Sequence, residues 1–174
     1  MLSGETATGS DPVNVIATMA RLCARADSNF DVENWTRMVT RLIVEDPDSG
    51  HGHNRRVTDT MTDAAWRVAQ EIDAKAILCI TRTGFTVRAI ARYRPRTQIL
   101  GFTSDERVRH QLSISWGATP LTLSAFTDND TMVREALQSA RDGGHVRAGD
   151  LVVVLAANDG RSTTTDVLRV IRVT

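Results

Sequence analysis

The stretch Thr81-Arg82-Thr83-Gly84-Phe85-Thr86 gathers groups that could hold an anion. The hydroxyls of Thr81, Thr83 and Thr86 can donate to phosphate oxygens, Arg82 adds a positive charge, and Gly84 lets the backbone come close to a ligand. An apolar run, Ala76-Ile77-Leu78-Cys79-Ile80, leads into it and a helical pattern leads out. A loop between strand and helix lies at the carboxyl end of a sheet, where open α/β folds bind ligands. The helix start also turns free N–H groups and a positive dipole end toward the occupant. The same residues would equally make an ordinary threonine-rich turn, and spacing alone leaves both readings open.

Other reactive side chains lack partners in the sequence. His51 and His53 have His-x-His spacing but no third ligand close by, which favours a solvated loop over a metal site. His110 and His145 stand alone. Ser113, Ser115 and the threonine run at 163–165 show neither a nucleophile elbow nor a base. No Walker loop and no Gly-x-Gly-x-x-Gly fingerprint occurs. Cys23 and Cys79 lie in apolar stretches outside any CxxC spacing, as expected of buried, reduced thiols in a cytoplasmic protein.

Composition narrows the class further. Of 174 residues, 41% are hydrophobic, enough for a core, and 21 basic side chains balance 21 acidic ones. A chain with no basic excess has no general field for nucleic acid. No apolar run approaches the roughly 20 residues that cross a bilayer, so no membrane partner is expected. The opening Met1-Leu2-Ser3-Gly4-Glu5 does not read as a signal peptide.

The elements that would position the 81–86 loop follow from periodicity. Asp11-Pro12 starts a helix with the stripe Val13, Ile16, Ala17, Ala20 and Cys23. Residues 34–44 suit another helix, and residues 45–53 an exposed linker. Val57, Met61, Ala64, Ala65, Val68 and Ile72 mark an amphipathic helix. Strands are expected at 76–80, 98–102, 119–123, 151–155 and 167–173. Helices are expected from the loop to Tyr93, at 105–113 and at 128–141. The alternation predicts an α/β fold, a three-layer sandwich with a five-stranded, mostly parallel sheet. The connection before the last strand is too short for a helical crossover, so that strand should run antiparallel.

Several motifs in this order resemble the pyruvate kinase family. Met1-Leu-Ser-Gly-Glu-Thr-Ala7, Gly9, Asp11-Pro12-Val13 and Thr18-Met19 are similar to the end of its catalytic (β/α)8 barrel. The 81–86 loop resembles its phosphate loop, and Ala91-Arg-Tyr-Arg-Pro95 its Ser-Arg-Tyr-Arg-Pro segment. Arg109, Leu112, Trp116-Gly117, Pro120, Gly149-Asp150-Leu151-Val152-Val153 and Thr165-Asp166-Val167-Leu168-Arg169-Val170 complete the series. The resemblance divides the chain into a barrel remnant at 1–26, a connecting helix and polar linker at 27–56, and the C-terminal α/β domain at 57–174.

The resemblance implies a function by what it includes and what it lacks. The family's catalytic lysine, metal ligands, potassium site and nucleotide contacts all precede Met1 in sequence order. No cofactor is therefore expected in this chain, magnesium and potassium belong to the barrel, and the chain alone is expected to be catalytically inert. A fragment or an internal start would account for this. The chain would bind a phosphorylated small-molecule effector through Thr81, Arg82, Thr83, Gly84 and Thr86. Arg161, in the 158–162 loop, would close over it as a cation, though a solvated turn is the other reading. Met132 falls where bisphosphate-activated relatives often carry arginine, which points toward a monophosphate. Ser3 and Glu5 take a structural place beside the active site. The last strand would pair with a second copy in a homo-oligomer. The alternative is a free-standing phospho-metabolite-binding or interaction module.

Overall fold

A computed structural model describes residues 1–45, 53–124, 128–158 and 164–174. The chain divides into two compact units, Met1–Glu33 and Asn34–Thr174. In the first, a short turn of helix, α1 (Gly4–Ala7), precedes α2 (Pro12–Ser28). Asp11 caps α2 by accepting the Asn14 N–H at 3.0 Å, and Pro12 occupies the first turn, where its missing N–H costs nothing. The expected stripe is present, yet α2 has no buried residue; Val13 is 78% and Ile16 51% exposed. Cys23, expected to be buried, is exposed because no described residue of this unit packs over its side of the helix.

The elements of the second unit follow the order α3 (Val32–Glu45), α4 (His53–Glu71), β1 (Ala76–Ile80), α5 (Phe85–Ala91), β2 (Gln98–Thr103), α6 (Glu106–Leu112), β3 (Ala118–Thr122), α7 (Asn129–Asp142), β4 (Leu151–Ala156) and β5 (Val167–Arg172). The first two residues of α3 belong to the first unit. Most of the expected linker at 45–53 lies outside the described residues. Helix α5 stops at Ala91, earlier than expected, and Arg94 before Pro95 adopts a left-handed φ of 48°.

The five strands form one sheet in the order β3-β2-β1-β4-β5. The first four run parallel, and β5 runs antiparallel to β4, with Val153 opposite Val170. This is the expected sheet, and its burial explains its sequence. Strand β1 is buried at every position, because helices cover both faces, and so reads as an unbroken apolar run. Its alternate residues Ala76, Leu78 and Ile80 join Leu100, Phe102, Val152 and Val154 against Met132, Val133, Ala136 and Ala140 of α7. On the opposite face α5 and α6 approach β2 so closely that a Cβ on Gly101 would lie 2.8 Å from Val87 and 3.3 Å from Leu112. Right-handed crossovers put α5 and α6 on one face. The reversed step from β3 to β4 puts α7 on the other.

Candidate functional site

The reversal of strand order lies between β1 and β4, and their carboxyl ends present the 81–86 loop and the connection that starts at residue 157. This boundary is the ligand-binding crevice of open α/β sheets. Thr81 continues β1 by one rung, its N–H donating to the Phe102 carbonyl at 2.9 Å. Its buried hydroxyl accepts the Gly84 N–H at 3.0 Å, and the Thr83 hydroxyl accepts the Phe85 N–H at 3.4 Å. Both threonines thus fold the turn on which they sit. Each hydroxyl keeps its own hydrogen for a further acceptor.

Gly84 is required by backbone and space together. Its φ is 77°, in the left-handed region, and an added Cβ would stand 2.7 Å from an Arg88 nitrogen and 3.0 Å from Leu112. Arg88 reaches back from α5 and donates to the Thr83 carbonyl at 3.1 Å. It is a second cation beside the loop that the sequence reading did not single out. Its position one turn into the helix was the available signal. Arg82 is exposed.

Thr86 differs from the other two. It is 4% exposed, and its hydroxyl lies 2.6 Å from that of Thr165, itself 2% exposed. The Thr165 N–H donates to the buried Thr58 hydroxyl of α4 at 3.0 Å. The junction joins α4, α5 and the entry to β5. Asp166 completes the entry, its carboxylate accepting the Asn158 N–H at 2.6 Å and its N–H donating to the Ala156 carbonyl. Arg161 lies outside the described residues, as do Gly160 and Ser162.

Other sequence candidates fall into structural places. Met132 is 1% exposed, within the core on which α7 packs. Ser3 donates to the Glu5 carboxylate at 3.1 Å; the Glu5 backbone and Ser3 hydrogen bonds hold that carboxyl below its ordinary range. His110 pairs with Glu106 at 3.1 Å, and His145 faces Gln98. Burial pushes the Cys79 thiol up, which keeps it protonated and inert. His51 lies outside the described residues. Among the described residues no group of three His, Cys, Asp or Glu could hold a metal ion. An open hollow of about 260 Å³ lies among Trp35, Arg88, Arg92, Arg94 and Trp116. There the Arg94 guanidinium stacks 5.9 Å from the Trp35 ring and 5.5 Å from the Trp116 ring, and Arg92 pairs with Asp59 at 2.7 Å.

The family model of the pyruvate kinase alpha/beta domain matches residues 59–171. A pyruvate kinase of Lactobacillus delbrueckii subsp. bulgaricus is 34% identical over 97% of this chain and 28% of its own length. One of Clostridium acetobutylicum is 30% identical over 98% of this chain and 34% of its own. A crystal structure of a Cryptosporidium parvum pyruvate kinase covers all of this chain with a TM-score of 0.79 at 26% identity, over 33% of that protein. The chain therefore spans about a third or less of the length of these relatives.

Proposed function

Because the chain belongs to the pyruvate kinase alpha/beta domain family, we propose that it carries the regulation and subunit contacts of a pyruvate kinase. It binds a phosphorylated small molecule at Thr81, Arg82, Thr83, Gly84 and Thr86. Occupancy there tunes a catalytic barrel that converts phosphoenolpyruvate and ADP to pyruvate and ATP in the cytoplasm. Magnesium and potassium belong to that barrel on this reading. The observation that supports it most is the placement of the loop, at the carboxyl end of a buried strand and beside the reversal of strand order. Arg161 enters as the closing cation on the sequence alone.

The test is calorimetric titration of the chain with glucose 6-phosphate, ribose 5-phosphate, AMP and fructose 1,6-bisphosphate. One of them binds. Thr83→Ala weakens that binding about tenfold to a hundredfold, as expected for one charge-assisted hydrogen bond. Gly84→Asp weakens it more, by placing a carboxylate and a Cβ where the loop has room for neither. Binding that survives Gly84→Asp unchanged removes the loop from the site. The chain by itself forms no pyruvate from phosphoenolpyruvate and ADP with magnesium and potassium present. Turnover by host-free protein would sink that part.

Self-association uses β5, the edge of the sheet, where Val170 is 48% exposed. The Val173 N–H donates to the Asp150 carbonyl, so alternation along the strand turns the N–H groups of 168, 170 and 172 away from β4. A row of outward donors invites a second copy in antiparallel, two-fold pairing.

A further inference from the structure

We infer that Thr165 is a positioning residue for the phosphate site, acting through the hydroxyl of Thr86. The inference rests on the effector reading above and adds to it a residue that touches no ligand. The observations are the 2.6 Å separation of the two hydroxyl oxygens, the burial of both residues, and the Thr165 N–H bond to Thr58.

A hydroxyl has one hydrogen and two lone pairs. Two hydroxyls in contact share one hydrogen bond, and its direction decides what the second hydrogen can do. When Thr86 donates to Thr165, Thr86 has nothing left for an anion. When Thr165 donates to Thr86, the Thr86 hydrogen is released to a phosphate oxygen. A polarised chain then runs from Thr165 through Thr86 to the anion, each bond strengthening the next. The buried junction leaves Thr165 little freedom, because the Thr58 hydroxyl holds its backbone from α4. Thr165 therefore sets the direction and angle in which Thr86 offers its proton. No ionisable group takes part in the chain, so the effect is one of affinity.

The experiment repeats the titration with the same four phosphates and with inorganic phosphate, on the whole chain and on variants. Thr165→Val keeps the shape and removes the hydroxyl, and it weakens binding about threefold to tenfold, the scale of one neutral hydrogen bond. Thr165→Ser restores the hydroxyl and with it the affinity. Thr165→Ala replaces the valine should the second methyl beside Thr58 disturb the fold. The decisive readout is the double variant Thr86→Val/Thr165→Val, which binds no more weakly than Thr86→Val alone, since Thr165 works only through Thr86. Losses that multiply would make Thr165 a structural residue and overturn the inference. So would an unchanged affinity in Thr165→Val beside a weakened Thr86→Val, with the effector reading left standing. A chain that binds none of the five probes overturns the effector reading and this inference with it.

Discussion

The two units of the chain use the same apolar residues to opposite ends. In Met1–Glu33, α2 carries a regular stripe and has no buried residue, with Val13, Ile16 and Leu22 all exposed. In Asn34–Thr174, β1 and β4 lie almost entirely out of water, clamped between helices on both faces. Local pattern therefore makes a helix of α2 and strands of β1 and β4, but makes a core only where a second layer receives the apolar side. The comparison separates secondary structure, which is local, from stability, which is not.

The largest expected effect is in amide exchange. Protection in β1 and β4 should reach that of global unfolding, about a thousandfold or more above α2, whose amides open by local fraying. Exposed Cys23 should react at once with a thiol reagent and buried Cys79 only on unfolding. Equal protection in the two regions would break the comparison. Next in size is truncation. Ile77→Ala, at a fully buried position, should cost about 2–5 kcal/mol in urea unfolding. Ile16→Ala should stay within about 0.5 kcal/mol.

A smaller contrast lies in the glycines. Gly84→Ala meets both a left-handed φ and crowding by Arg88, and should cost about 1–3 kcal/mol of stability. Gly4→Ala has open space and should cost little. Sedimentation of Val170→Pro sharpens the picture at the sheet edge. The variant should be monomeric at concentrations where the parent associates, with its melting nearly unchanged, because the lost N–H points away from β4.

The smallest effect is on acid stability. Hydrogen bonds from Thr131, side chain first and backbone N–H second, hold the Asp128 carboxyl below its ordinary range. A carboxyl with a depressed folded pKa adds stability above its unfolded pKa and loses it as pH falls through the folded one. Asp128→Asn, which keeps the capping oxygen, should show a slightly flatter acid limb in urea midpoints. An acid limb identical to the parent's would remove Asp128 from the balance.

Most of the fold was legible because its signals are local. The run Ala76-Ile77-Leu78-Cys79-Ile80 announces a doubly covered strand, and the short connection before Val167 announces an antiparallel one. Asp11, Asp105 and Asp128 mark helix starts where the structure finds capping bonds. The 81–86 loop was legible as a loop, with its threonines folding the turn. The pairing of Thr86 with Thr165 was not, because it joins residues 79 apart and neither the loop nor the closing motif shows which residue the other meets. Met132 shows a related limit. Alignment gives a position, but only the packing of α7 on the sheet shows that its side chain faces inward.

The central place of β1 also governs the order of assembly. Ala76 pairs with Gln98 on one side and with Val152 on the other. The first partner follows soon in the chain, and the second arrives only after β3 and α7. As the chain is synthesised from its N-terminus, the uncharged run Ala76-Ile77-Leu78-Cys79-Ile80 stands with one open edge until Leu151–Ala156 emerges. Long-range parallel pairing is slow to close, and such an edge recruits other chains while it waits. Ribosomal release or proteolysis short of Leu151 would therefore yield aggregates and not a smaller folded product.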